Sequence, residues 1–145
     1  MIKINSSTTI SQPADQVFEF ITNQENAQLW LSGWLETRQT SEIKGVGSTW
    51  IDVVEVLGRR VESEYQLSEL EPGRKIAFKS IRGSFPISGV YTFTPASDAT
   101  DVIFHLEGES GGFFKLADPL INRILQRQWD TNLANIKDIL ENAGS

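Results

Sequence analysis

The C-terminal stretch of the chain dictates what the rest must provide. Ile121, Ile124, Leu125, Trp129, Leu133, Ile136, Ile139 and Leu140 recur at three- and four-residue intervals, the period of an amphipathic helix. Asp118 suits the cap and Pro119 the first helical position, where a missing backbone N–H removes no helical bond. The pattern predicts roughly six turns ending at Gly144, about 33 Å at ~1.5 Å per residue. A helix this long must bury its stripe, so the preceding residues have to offer a matching apolar face.

They offer it as strands. After a first strand over residues 2–10, Pro13 opens a helix carrying Val17, Phe18, Phe20 and Ile21 on one stripe. A second short helix over residues 25–30 is closed by Gly33. Strands then fall at residues 37–43, 49–57, 60–70, 75–81, 87–94 and 101–109, separated by turn residues such as Gly45, Gly47, Gly58 and Gly83. Pro72-Gly73 fits a type I or type II turn. Successive strands with short links and no intervening helix imply an antiparallel meander. No repeat or linker divides residues 1–145, which read as one domain.

Alternation identifies the faces. Val61, Ser63, Tyr65, Leu67 and Leu70 mostly share one side of their strand, opposite Arg60, Glu62, Glu64, Gln66 and Ser68. Ile76, Phe78 and Ser80 oppose Lys75, Ala77 and Lys79; Tyr91 aligns with Phe93, and Phe104 with Leu106. One face is apolar and aromatic and the other charged, as in a sheet wet on one side. The expected fold class is α+β: a curved antiparallel sheet wrapped around a long C-terminal helix, with two short helices after the first strand.

Charge and composition narrow the function. Thirteen Lys and Arg stand against nineteen Asp and Glu, a formal net charge of −6, which argues against nucleic acid and anionic membrane surfaces as partners. Cysteine is absent and His105 is the single histidine. No thiol nucleophile, disulfide framework or metal site is expected, nor any cofactor. No apolar run approaches the ~18–20 residues of a membrane span, and the N-terminus lacks the apolar core of a secretory signal. The expected location is cytoplasmic.

The aromatic row Tyr65, Phe78, Tyr91, Phe93, Phe104 and Trp129 has two readings. It is packed core, or several of its members line a pocket. Ser63, Ser80 and the two tyrosine hydroxyls lie on the same apolar face and need partners there. Phe113 and Phe114 follow the Gly111-Gly112 pair, and this segment reads as a hinge and gate, a partner contact, or packing under a loop. Gly108-Glu109-Ser110-Gly111-Gly112 matches a nucleophile-elbow pattern, but a meander and a histidine that precedes the serine do not supply its context. His105 points away from Phe104 and Leu106, toward solvent. Asp52, Glu55, Tyr65 and Arg82 are the candidates for acid–base chemistry. Asp52 and Glu55 occupy opposite faces of one strand whose two rows are both apolar, so parity does not choose between them.

The chain resembles the START-like helix-grip (SRPBCC) superfamily, in its polyketide cyclase/dehydrase and lipid-transport branch. The matching pieces are Ile10-Ser11-Gln12-Pro13-Ala14-Asp15-Gln16-Val17-Phe18 after the opening strand, then Trp30 and Gly45-Val46-Gly47. Leu70-Glu71-Pro72-Gly73-Arg74-Lys75-Ile76-Ala77-Phe78, Gly89-Val90-Tyr91-Thr92-Phe93-Thr94-Pro95 and the last helix complete the set. The resemblance implies a cavity between sheet and helix that holds an apolar or aromatic small molecule, lipid-like or polyketide-like. Tyr65, Phe78, Tyr91, Phe93, Phe104, Phe113 and Trp129 are the expected ligand-binding residues. A cyclase/dehydratase-type enzyme using the same cavity, or a module with a filled cavity and a protein partner, are the alternatives.

Overall fold

In the computed structural model, which describes residues 1–83, 86–109 and 118–143, seven strands form one antiparallel sheet. They are β1 (Ile2–Ile10), β2 (Trp34–Gln39), β3 (Thr49–Val56), β4 (Arg59–Glu71), β5 (Lys75–Gly83), β6 (Ile87–Ala96) and β7 (Ala99–Gly108). Their spatial order is β1-β7-β6-β5-β4-β3-β2. The last six therefore run as a meander, and β1 adds to β7 at the far edge. Between β1 and β2 lie α1 (Ala14–Thr22), a 3₁₀ turn (Gln24–Asn26) and α2 (Ala27–Trp30). The 26-residue helix α3 (Asp118–Ala143) lies in the curl of the sheet. The sheet curled around a C-terminal helix is what the sequence pattern implies, and it is the helix-grip arrangement that the family resemblance implies.

The tightest packing lies along β1 and β7. Ile2, Ile4, Ile10, Val102 and Phe104 meet Ile121, Leu133 and Ile136 of α3, all essentially inaccessible to solvent. Each such side chain contributes roughly 1.5–3 kcal/mol through burial. α3 also completes the backbone bonding of β1. Odd-numbered residues of β1 turn their N–H and C=O groups away from β7, and helix side chains meet them. Asn122 Oδ1 accepts from Lys3 N at 2.9 Å, Gln126 Nε2 donates to Asn5 O at 2.7 Å, and Lys137 Nζ donates to Thr9 O at 2.6 Å. A sheet edge that would otherwise template foreign strands is thus covered by one helix.

Several boundaries differ from the sequence reading for identifiable reasons. β2 starts at Trp34 rather than at residue 37 and ends before residue 43, because its ladder to β3 runs from Trp34↔Val54 to Gln39↔Trp50. The second helix divides into the 3₁₀ turn and α2, with Asn23 Oδ1 accepting from Glu25 N. Leu57 leaves the strand: Leu57 (φ 52°) and Gly58 (φ 73°) form the two-residue turn between β3 and β4, which needs positive φ at both positions. Gly73 (φ 73°) at the third place of Glu71-Pro72-Gly73-Arg74 selects the type II turn. β6 and β7 extend into residues 95–100, and Pro95 is tolerated because β5 pairs with β6 only as far as Thr92. The three-residue step from Leu67 to Leu70 marks a bulge in β4, where the register shifts between Leu67 and Glu69.

Candidate functional site

At the other end of the sheet, β3, β4 and β5 turn an equally apolar face inward, but α3 does not press against it. A pocket of about 670 Å³ lies there. Its floor is the inner face of these strands, and Leu125, Gln128, Trp129 and Asn132 of α3 form one wall. The C-terminal turn of α1, α2 and the loop between β2 and β3 form the rim, where Glu25, Ile43 and Lys44 sit.

A continuous run of rings crosses this space. Trp50, Tyr65 and Phe78 form a triangle with centroids 5.9, 6.3 and 5.4 Å apart, and Tyr65 meets Phe78 edge to face. Phe78 leads to Tyr91 at 6.2 Å, Tyr91 to Trp129 at 6.1 Å, and Trp129 to Trp30 at 6.2 Å. Spacings of this kind suit mutual edge and tilted contacts. Gly89 makes the run possible: it lies opposite Phe78 in the β5–β6 ladder, and a Cβ there would overlap the Phe78 ring.

The aromatic candidates read from sequence separate into groups. Tyr65, Phe78, Tyr91 and Trp129 line the pocket. Phe104 does not; it is fully buried behind it, stacked on Trp129 with centroids 3.8 Å apart. Phe93 packs edge to face on Phe18 at 5.8 Å, beneath α1. Phe113 and the Gly111-Gly112 pair lie outside the described residues, as does Ser110 of the elbow-like motif. Ser63 lines the pocket, whereas the Ser80 hydroxyl accepts from Ile87 N at 2.9 Å and is satisfied within the sheet.

The choice between Asp52 and Glu55 is settled by the register. Asp52 faces the pocket with Trp50, Val54 and Val56, while Glu55 is exposed on the outer face. The outer row of β3 is apolar for a separate reason. Arg38–Glu62 (3.3 Å) and Arg60–Glu36 (3.5 Å) join β2 to β4 across β3, and Val53 between them is completely covered. Long charged side chains roof an apolar residue with their aliphatic stems. Arg82 pairs with Glu64 at 3.3 Å on that outer side, away from the pocket. His105 is also on the outer face, between Asn5 Oδ1 (2.6 Å from Nδ1) and Glu107 (3.0 Å from Nε2).

Asp52 is the most heavily constrained polar group of the site. Its Oδ2 accepts from Trp50 Nε1 at 3.1 Å, and its Oδ1 accepts from Thr37 Oγ1 at 2.7 Å. Thr37 Oγ1 accepts in turn from Trp34 Nε1 at 2.7 Å. Burial raises the Asp52 pKa above the ordinary carboxylate value, opposed by the bonds from Thr37 and Trp50. Burial likewise pushes the Tyr65 and Tyr91 phenols up, reinforced by the nearby Asp52 charge. Both tyrosines therefore keep their protons across the physiological range and act as donors. At the α3 side, Asn132 is buried and its Oδ1 accepts from Ser32 N at 2.6 Å. The Trp30 indole N–H, also buried, has no hydrogen-bond partner among the described residues.

Trp50, Trp30, Thr37, Gln128 and Asn132 were not marked as site residues by sequence. Trp50 could have been, since it shares the inward row of Asp52. Thr37 could not, because its place depends on the β2–β3 register, and Asn132 interrupts an otherwise apolar helix stripe that pattern reading treats as core. Among the described residues no cluster of His, Asp and Glu could hold a metal ion, and no helix is long and apolar enough to cross a membrane.

Solved structures share this architecture. TTHA0849 from Thermus thermophilus superposes with a TM-score of 0.87 at 19% identity, covering 99% of both chains. The Zhui aromatase/cyclase from Streptomyces superposes with a TM-score of 0.81 at 14% identity, covering 99% of this chain and 95% of that one. DR_A0006 from Deinococcus radiodurans gives a TM-score of 0.72 at 21% identity, covering 97% and 98%. At these identities the likeness is one of fold. No curated protein matches the sequence. A family profile, however, matches residues 1–141. With its helix-grip sheet and ring-lined pocket, the chain belongs to the polyketide cyclase/dehydrase and lipid transport family.

Proposed function

We propose that this protein binds an apolar or aromatic small molecule in the pocket between the sheet and α3. The observation that carries the reading is the pocket itself: about 670 Å³, walled by Trp50, Tyr65, Phe78, Tyr91 and Trp129, with a few hydroxyl, amide and carboxyl groups placed among the rings. That combination is the usual makeup of a small-molecule site. Burying ~300 Å² of ligand apolar surface supplies about 7 kcal/mol gross at ~25 cal/mol per Å². Association entropy removes much of it, so affinity in the micromolar range is expected. Native mass spectrometry of the purified protein, before and after mild denaturation, tests the reading. A small molecule released on unfolding supports it; a bare protein that also fails to take up aromatic probes overturns it.

A second reading, a cyclase- or dehydratase-type enzyme, is favoured by Asp52 and Tyr65 facing one space. Asp52 is positioned to take up a proton and Tyr65 to donate a hydrogen bond to a substrate oxygen. Two folded variants, Asp52→Asn and Tyr65→Phe, are then expected to lose turnover of a ligand they still bind. Retained turnover in both removes this reading and leaves the binding one intact.

A further inference from the structure

The polar groups of the pocket are arranged with a direction. Indole nitrogens only donate, so Trp34 Nε1 forces Thr37 Oγ1 to accept, which leaves the Thr37 hydroxyl proton for Asp52 Oδ1. Trp50 Nε1 delivers a second donor to Asp52 Oδ2. Both carboxylate oxygens are thus met by fixed donors, the arrangement that stabilises an anion. No cation among the described residues completes it. Among the described residues Asp52 forms no ion pair with any Lys, Arg or His. Of the described residues, the charged ones lining the pocket besides Asp52 are Glu25 and Lys44, both exposed at the rim. The surrounding rings add to the negative character, because an aromatic face carries partial negative charge. The chain as a whole, at −6, draws cations toward it.

We propose that the ligand of this pocket carries a protonated amine on an aromatic or apolar body, with the ammonium against Asp52 and the body among Trp50, Tyr65 and Phe78. The inference rests on the pocket being a small-molecule site, as proposed above. Asp52 would supply the counter-charge, and its remaining lone pairs would accept the ammonium protons. Tyr65 and Tyr91, whose phenols stay neutral, neither compete for the cation nor repel it. Desolvation disfavours the Asp52 charge, and an ammonium beside it would offset that penalty where a neutral analogue would not.

Three probes of matched shape test this by calorimetric titration near neutral pH: 2-(1-naphthyl)ethylamine, 2-(1-naphthyl)ethanol and 1-naphthylacetic acid. The amine is expected to bind on the order of tenfold tighter than the alcohol, with the acid weakest. In Asp52→Asn the amine should fall to the level of the alcohol, whose own affinity stays put. Thr37→Val, which keeps the carboxyl and removes one donor, should narrow the preference without abolishing it. Equal binding of amine and alcohol by the native protein would overturn the amine assignment while leaving the pocket as a binding site. Tightest binding of the acid would overturn it in the opposite sense. Failure of all three to bind at millimolar concentration would overturn the pocket reading and this inference together. The native-protein comparison decides the matter even if a variant does not fold.

Discussion

The two ends of the sheet are built from the same kind of sequence and reach opposite outcomes. In β1 and β7 the inward residues Ile2, Ile4, Val102 and Phe104 are wholly buried. In β3, β4 and β5 the inward residues Trp50, Val54, Tyr65, Leu67 and Phe78 are as apolar, yet only half-buried, and burial there is confined to neighbours such as Val56, Val61 and Ile76. The difference is the position of α3. It packs along β1, held there by Asn122, Gln126 and Lys137 on the free edge of that strand. Over β3 and β4 the cover is only α2, the end of α1 and a loop. An apolar face without a matching element above it becomes a pocket wall rather than a core, whatever its composition.

The largest expected effect probes that contrast directly. Phe104→Ala removes a fully buried ring stacked on Trp129 and should cost about 3–5 kcal/mol. Trp50→Ala removes a larger ring from the pocket wall, yet should cost only about 1–2 kcal/mol because solvent can fill the space. Urea midpoints of the two variants measure the gap, and equal losses would break the comparison. Next is Gly89→Ala, whose new Cβ collides with Phe78. A cost of about 1–3 kcal/mol is expected, with the ring driven into the pocket and probe binding weakened. Replacing Phe78 by Leu in the same chain should restore most of the stability, a coupling that a double-mutant cycle resolves.

Gln126→Ala sharpens the other side of the contrast. It strips the bonds at Asn5 from the β1 edge and should cost about 1 kcal/mol. The Asn5 amide should then exchange faster with deuterated solvent, while the amides of β4 stay as they were. The smallest effect is a slope. Asp52 has a raised pKa in the folded state, so the fold binds its proton more tightly than the unfolded chain does. Its contribution is therefore fully present below the ordinary carboxylate pKa and is lost as pH rises through the folded value. Between pH 4 and 7 the Tm of the native protein should fall relative to that of Asp52→Asn, whose profile lacks this component. Parallel profiles would show that Asp52 titrates normally.

How much of this was legible beforehand varies by residue. The inward parity of Tyr65, Phe78, Tyr91 and Phe104 follows from simple alternation, whereas the bulge between Leu67 and Leu70 is seen only in the register. The side taken by Asp52 was not legible. Val53 and Ile51 are apolar on the outer face only because Arg38, Glu62, Arg60 and Glu36 roof them from neighbouring strands, and those neighbours are known only from the register. Nor could sequence separate Phe104 from Tyr91. Both are inward aromatics on adjacent strands, with centroids 4.7 Å apart. Phe104 is stacked beneath Trp129 of α3, whereas Tyr91, though also buried, lines the pocket.

The sequence by itself determined the meander, the long amphipathic helix, the apolar inner face and most of its members. These follow from periodicity and turn chemistry, which act over a few residues. Where α3 comes to rest, which rings it covers, and how Trp34, Thr37 and Trp50 converge on Asp52 were decided only in three dimensions. Those arrangements depend on pairings between residues far apart in the chain, and on the edge bonds that hold one helix against one strand.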